Sequence, residues 1–230
     1  MTRFALARLV LGLTAGLAAL APASSRADTV RGMITYAGAA SAPRKLSITT
    51  DKAVCANKIS YDQTLLVGAK KGLANAVIAI DGIKAAAPKP ASVTVDQIGC
   101  VYTPHVAAAT VGSKLKLANS DATLHNVHAY VDSDTVFNLA LPQKGLSTVR
   151  NLDEAGVVTL KCDVHAWMSA YVLVFEHPFF AVTDKNGAFT IAGVPPGAYQ
   201  VTVWHEKLGT KTGQVNVGKS GAATPFALSY

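Results

Sequence analysis

Charged and aromatic residues are both scarce in this sequence of 230 residues. Charged residues make up 15% of the chain and aromatic residues 7%, and no long heptad pattern occurs, which argues against a coiled coil. Half of the residues are apolar, whereas disordered chains are poor in apolar residues. The chain is therefore expected to fold, as one large domain or two small ones.

Arrangements typical of enzymes are also missing. No paired carboxylates and no Ser-His-Asp arrangement stand out. The segment Gly213–Ser220 formally fits a phosphate-binding loop, but its valines alternate as in a strand and no helix can follow it. The six histidines are too few for a multicopper oxidase, and repeated H-x-H pairs are absent. We therefore expect a protein that is not an enzyme.

The first 27 residues are typical of a secretory signal peptide. Arg3 and Arg8 supply positive charge just before an apolar stretch at Leu9–Ala21. Ser25–Ala27 forms a small-x-small cleavage site. This stretch is too short to cross a bilayer and no second one follows, so no membrane span is predicted. The expected location is periplasmic or secreted.

The net charge falls once this segment is removed. Three of the 21 basic residues lie in it, which leaves 18 basic against 14 acidic residues and a formal charge of +4. The remaining lysines are mostly scattered singly along the chain. We therefore predict no nucleic-acid partner.

Short strand patterns fill the rest of the chain, and no convincing amphipathic helix interrupts them. Closely spaced strands of this kind predict an all-β fold of Greek-key sandwiches. The predicted strands are 30–36, 73–80, 92–95, 114–117, 127–131, 157–160, 171–175, 189–191, 199–205, 214–217 and 226–230.

The region after Glu176 resembles a known family of sandwiches. Thr183–Val201 reads TDKNGAFTIAGVPPGAYQV, which resembles the carboxypeptidase-regulatory-like, transthyretin-like domain. Members of that family usually open with strands such as Val30–Tyr36 and Ala76–Ile80, and the strands after Glu176 are few for a sandwich. We therefore predict that residues 28–91 complete a sandwich with residues 177–230, and that residues 92–176 form an inserted domain.

Most of the side chains suited to binding a metal fall in two short stretches. One contains His125 and His128, and the other contains Cys162, His165 and Met168 at C-x₂-H-x₂-M spacing. A thiolate and two imidazoles in a plane, with a thioether on the axis, are the ligands of a mononuclear copper electron-transfer site. The tight spacing lets one loop surround the metal, while His125 comes from a distant strand.

These stretches resemble the cupredoxins over residues 92–176. The resemblance implies that His125, Cys162 and His165 are equatorial ligands of one copper ion, that Met168 is the axial ligand, and that Asn126 braces the ligand loop. It also implies a one-electron carrier with redox proteins as partners. The H-x₂-M spacing is closer to the dinuclear copper-A loop, but that site needs two cysteines in the loop, so we expect mononuclear copper.

Alternative interpretations remain open at this stage. A zinc site could use His125, His128, Cys162 and His165, although His128 should face the other side of its strand. His105 could be a further ligand, with or without His128. The protein could instead deliver copper in metal homeostasis, or be a structural double sandwich with a zinc or vestigial site.

The three cysteines in an oxidising compartment suggest one disulfide and one retained thiol. A thiolate that binds copper cannot also be bridged. If Cys162 is the copper ligand, then Cys55 and Cys100 form the disulfide, which ties the N-terminal segment to the predicted copper domain.

Overall fold

The computed structural model describes residues 28–83, 90–219 and 223–230. The predicted signal peptide, residues 1–27, lies outside the described residues. The strands in chain order are β1 (Asp28–Thr35), β2 (Val77–Ile80), β3 (Ser92–Gln97), β4 (Tyr102–Thr103), β5 (Val106–Thr110), β6 (Lys114–Asn119), β7 (His125–Val131), β8 (Asp134–Leu141), β9 (Ser147–Asn151), β10 (Gly156–Lys161), β11 (Ser169–Phe175), β12 (Phe180–Val182), β13 (Ala188–Val194), β14 (Gly197–His205), β15 (Gly209–Val217) and β16 (Thr224–Ser229).

The prediction of an all-β fold made of sandwiches is confirmed. Helical structure in the described part of the chain is limited to the short helix α1 (Lys52–Cys55) and a 3₁₀ turn at Ala69–Lys71. No helix among the described residues is long and apolar enough to cross a membrane.

The first sandwich holds the predicted metal ligands. Its sheets have the strand orders β4-β3-β6-β9 and β5-β11-β10-β7-β8. Between them lies a core of alternating apolar side chains, among which Leu115, Leu117 and Leu160 are fully buried. Cys162 and Met168 belong to the same core, so the loop that carries the predicted ligands is packed into the sandwich and does not project from it.

The second sandwich joins strands from both ends of the described chain. Its sheets have the orders β13-β1-β16 and β12-β2-β14-β15. Strand β1 pairs antiparallel with β13 and parallel with β16, and β2 lies between β12 and β14. The strands nearest the N-terminus therefore lie in the same sheets as strands after residue 176.

The two sandwiches touch through a third apolar layer. Along β11, Val172 and Val174 point into the first core, while Tyr171 and Leu173 point the opposite way, as the two-residue period of a strand requires. Leu173 packs with Val77 of β2, and the Tyr171 ring lies 5.3 Å from that of Trp204 in β14, between centroids. The second sandwich thus packs against the outer face of β5 and β11.

Residues 44–62, here called the strap, lie over the ligand end of the first sandwich. The strap folds back on itself, with the Leu46 N–H donating to the Ser60 carbonyl at 2.9 Å, and it contains α1. Cys55 at the end of α1 is bonded to Cys100, so the structure contains the predicted disulfide. The part of residues 28–91 that forms the strap therefore packs on the first sandwich, whereas β1 and β2 belong to the second.

Candidate metal centre

Three of the predicted ligands converge in the first sandwich. His125 begins β7, Cys162 directly follows β10, and His165 lies in the loop before β11. One ligand atom from each lies within 4.8 Å of the others. The two histidine Nδ1 atoms are 2.9 Å apart, and Cys162 Sγ is 3.8 Å from His165 Nδ1.

These separations suit a single metal ion. Imidazole nitrogen and thiolate sulfur bind a zinc-sized divalent metal at about 2.0 Å and 2.3 Å. Two such nitrogens can be up to about 4.0 Å apart, and a nitrogen and a sulfur up to about 4.3 Å apart, on one ion. The observed 2.9 Å and 3.8 Å fall inside both limits. One ion can therefore contact His125, His165 and Cys162 together.

Two carboxylates decide which ring nitrogens are free. His125 Nε2 lies 3.0 Å from Asp121 Oδ2, and His165 Nε2 lies 3.0 Å from Asp51 Oδ2. A carboxylate accepts a hydrogen bond, and a neutral imidazole has only one N–H, so each ring places its hydrogen on Nε2. The Nδ1 lone pairs then point at one another, and this arrangement requires a proton or a cation between them.

The pKa values of these groups fit that description of the metal-free site. Burial lowers the pKa of His165, which favours its neutral form. Burial also acts to lower the pKa of His125, but Asp121 and the Cys162 thiolate outweigh it and the pKa is raised. His125 therefore has the greater proton affinity of the two rings, and a bound metal ion would compete with that proton.

The Cys162 sulfur is prepared for the thiolate form. Burial acts to raise the pKa of Cys162, but its hydrogen bonds, first that with His125, outweigh burial and lower it. The Asn126 Oδ1 atom lies 3.2 Å from Cys162 Sγ and accepts from the Asp163 N–H at 2.7 Å. The Asn126 side chain thus sits against the ligand loop, in the position that the cupredoxin resemblance implies.

Asp121 is held by the loop that contains the disulfide. Its two carboxylate oxygens accept from the Gly99 and Cys100 N–H groups, each at 2.7 Å. Together with the His125 bond, these hydrogen bonds outweigh burial and lower the pKa of Asp121, which stays ionised. Asp121 precedes His125 by four residues, but aspartate is too common at turns for this spacing to identify it from the sequence.

Asp51 reaches the site from the strap. Thr123 Oγ1 donates to Asp51 Oδ2 at 2.9 Å, and this bond and the one from His165 lower the pKa of Asp51. The N–H groups of Val54 and Cys55 donate to the Asp51 carbonyl at 2.9 Å. Asp51 lies one helical turn before Cys55. The Cys55–Cys100 disulfide is therefore the one feature predicted from the sequence that places Asp51 near the metal site.

Met168 lies at the end of the ligand loop and is 2% exposed. The loop is closed by its backbone, since the Met168 N–H donates to the His165 carbonyl at 2.9 Å and the Cys162 N–H to the Met168 carbonyl at 3.4 Å. The side chain is in the first core. The axial role of Met168 stays a prediction.

The structure places His128 on the other face of β7. Its Nδ1 contacts Asp163 at 3.1 Å and Tyr130 Oη at 2.7 Å, and its Nε2 contacts Thr135 Oγ1 at 2.9 Å. The two-residue period of a strand separates it from His125, as the sequence analysis expects. Among the described residues it belongs to none of the groups that could hold a metal ion.

His105 lies at the contact between the sandwiches. Its Nδ1 donates to the Ser169 carbonyl at 3.0 Å, and its Nε2 faces Glu206 Oε1 of the second sandwich. Both ring nitrogens are therefore occupied by protein groups, and the structure does not bring His105 to His128 or to the three converging ligands. The possible additional ligand role of His105 and His128 has no geometric support.

Two comparisons concern sequence. A family model for domain II of polysaccharide lyase family 4 matches residues 153–225, which is less than half of the chain and spans parts of both sandwiches. No curated protein matches the chain. The transthyretin-like resemblance of the second sandwich stays a prediction.

Solved structures similar to the chain include three copper-related proteins. The copper-containing nitrite reductase from Thermus scotoductus SA-01 is 23% identical with a TM-score of 0.33, over 42% of this chain and 24% of that one. The purple cupredoxin from Nitrosopumilus maritimus is 22% identical with a TM-score of 0.32, over 36% of this chain and 98% of that one. Amicyanin from Paracoccus versutus is 22% identical with a TM-score of 0.33, over 42% and 96%. The chain thus spans about a quarter of the nitrite reductase and nearly all of the two smaller proteins.

Proposed function

We propose that this protein holds one copper ion and carries single electrons between redox proteins. His125, Cys162 and His165 would be the equatorial ligands and Met168 the axial one. The proposal depends on one observation: the two histidine Nδ1 atoms and the Cys162 sulfur converge in the first sandwich, with both Nε2 hydrogens committed to carboxylates.

The chemistry of these donors fits copper in both oxidation states. A thiolate favours Cu(I), imidazoles tolerate Cu(II), and a bound ion would supply the one-electron couple. The protein fixes the ligands on two strands and a loop closed by its own hydrogen bonds. Because the ligands are held in place before the electron arrives, little reorganisation accompanies its transfer.

Burial of the site favours an electron carrier over a copper-delivery protein. His125 and His165 are 0% exposed, Cys162 is 4% exposed and Met168 is 2% exposed. A protein that hands over copper needs an open route for the ion, whereas the disulfide-tied strap covers this site. The zinc site with four protein ligands would lack its third histidine, since His128 lies on the other face of β7.

Copper titration of the purified protein tests the proposal. We expect one equivalent of Cu(II) to give an intense thiolate-to-copper absorption band in the visible region, and reduction to remove the band while copper stays bound. Cys162→Ser should lose the band. His128→Ala is the matched control and should keep both band and stoichiometry. Copper bound without the band, or copper released on reduction, would contradict a carrier.

Removing either carboxylate should weaken copper binding. Asp121→Ala and Asp51→Ala each leave a histidine Nε2 hydrogen without its acceptor, so the ring is no longer held in its orientation. Losses of this kind lower metal affinity by about 10- to 100-fold. Competition with a chelator of known affinity measures this loss. Asp121→Asn keeps an acceptor oxygen but no charge, so it should recover most of the affinity and raise the reduction potential, because a nearby negative charge favours Cu(II). Equal affinities for the Ala and Asn variants would show that the hydrogen bond is not responsible.

A further inference from the structure

The proposed copper ligands are almost entirely shielded from solvent, since none is more than 4% exposed. An electron carrier must nevertheless exchange its electron with a partner. Some side chain in contact with a ligand therefore has to connect the metal centre to the protein surface.

Trp167 makes this connection. Its ring lies 5.0 Å from that of His165, between centroids, and its Nε1–H donates to the Cys100 carbonyl at 2.9 Å, which fixes its orientation. Trp167 is half-buried and lines a cleft of about 220 Å³ together with Tyr61 and Met168. The indole thus extends from a proposed ligand to an open surface.

Exposed apolar side chains lie on the strap and on the β3–β4 turn, and one of them, Tyr61, lines this cleft. Ile59 is 64% exposed, Tyr61 44% and Ile98 41%. They are held close together, because Ser60 Oγ donates to the Gly99 carbonyl at 3.3 Å across the gap between the strap and the β3–β4 turn. We call Ile59, Tyr61, Ile98 and Trp167 the Trp167 face.

The charges around the Trp167 face are positive. Lys45 is exposed and pairs with Tyr61 in a β-bridge, which places both side chains on one side. Lys58 is exposed and lies beside Gly99. Neither lysine forms an ion pair with any described residue. Of the nearby carboxylates, Asp62 is paired with Arg44 at 3.3 Å, and the single negative charge of Asp51, which lies 3.0 Å from His165, is outweighed by the two lysines.

We infer that the Trp167 face is the docking surface for a one-electron redox protein whose own docking surface is acidic. This inference rests on the proposed copper function. One electron passes between the partner and copper by way of Trp167 and His165, and no bond or proton moves. A small apolar patch bordered by charge suits a transient complex, in which the apolar contact is small and complementary charges speed the encounter.

Small redox reagents of opposite charge test this surface on the copper-loaded protein. We would measure oxidation of the Cu(I) form by anionic hexacyanoferrate(III) and by cationic tris(phenanthroline)cobalt(III). At about 0.1 M ionic strength, charges more than about 10 Å apart are largely screened. Lys58→Glu should lower the rate constant for the anion about tenfold and raise that for the cation. Trp167→Leu should lower both, by about tenfold.

Two matched variants serve as controls. Lys114→Glu makes the same charge change at the far end of β6 and should leave both rate constants near those of the unmodified protein. Leu124→Ala alters an exposed apolar side chain outside the Trp167 face, next to His125 in sequence and 42% exposed. The inference is overturned if Lys58→Glu behaves like Lys114→Glu, or if Leu124→Ala slows exchange and Trp167→Leu does not. If the copper band is unaltered in these variants, the docking inference can fail while the proposed copper function stands. If Trp167→Leu loses copper, the rate constants of Lys58→Glu alone test the docking surface.

Discussion

Replacing both Cys55 and Cys100 by Ser should lower the free energy of unfolding by about 4 kcal/mol. The disulfide closes a loop between residues 45 apart, and the chain-entropy model gives about 4 kcal/mol for a loop of that length. Both cysteines are 0% exposed, so the double variant also places two hydroxyl groups in the core. Urea denaturation of the metal-free protein measures the difference.

The same double variant should also weaken copper binding. Cys55 Sγ lies 3.8 Å from His165 Nε2, and α1 carries Asp51 at its start. Without the disulfide, the strap is held over the site only by weaker contacts. The hydrogen bond between Asp51 and His165 should therefore be formed for a smaller fraction of the time. Copper should therefore leave faster when a chelator is added.

Cys162→Ser is the control for a Cys-to-Ser change without loss of the disulfide, and it should keep most of the stability of the metal-free protein. Equal unfolding free energies for all three proteins would contradict the prediction.

The strands that the sequence predicts share a clear apolar pattern, and those it misses do not. All eleven predicted strands overlap observed ones, from β1 to β16. Among the missed strands, β5 has the sequence VAAAT, in which alanine gives little strand signal, although β11 pairs with it throughout. Strand β8 is missed because its residues are mostly exposed, as on the edge strand of its sheet, so burial imposes no alternation. These strands form because a neighbouring strand pairs with them, and the residue pattern of one segment does not show which strand will lie beside it.

The candidate ligands could be predicted because their chemistry is distinctive and their spacing is local. Cys162 and His165 lie within one loop, and His125 is one of few histidines. The carboxylates Asp51 and Asp121 could not be singled out in the same way, since aspartate is common at turns for other reasons. Asp51 reaches His165 from 114 positions away in the chain, and only the folded strap brings it there.

A second large effect is expected at the contact between the sandwiches, where Glu206→Ala should destabilise the protein by about 1–3 kcal/mol. The His105 and Glu206 side chains are 5% and 6% exposed. Removing the carboxylate leaves the His105 Nε2 atom buried without its partner, while its Nδ1 stays bonded to the Ser169 carbonyl. An unpaired buried polar group costs far more than a pair contributes, which explains the size of the effect.

Glu176→Ala makes the same chemical change at an exposed position and should alter stability by less than about 0.5 kcal/mol. In the double variant His105→Ala/Glu206→Ala, neither partner is left alone, so its destabilisation should be smaller than the sum of the single ones. Glu206 also contributes, after burial, to raising the pKa of Tyr171 to about 12. Glu206→Ala should therefore lower the pKa of Tyr171, which an absorbance titration of the tyrosines would detect. If Glu206→Ala is no more destabilising than Glu176→Ala, the pair does not hold the two sandwiches together. The contact between the sandwiches would then depend on the apolar layer that includes Val77, Leu173 and Trp204.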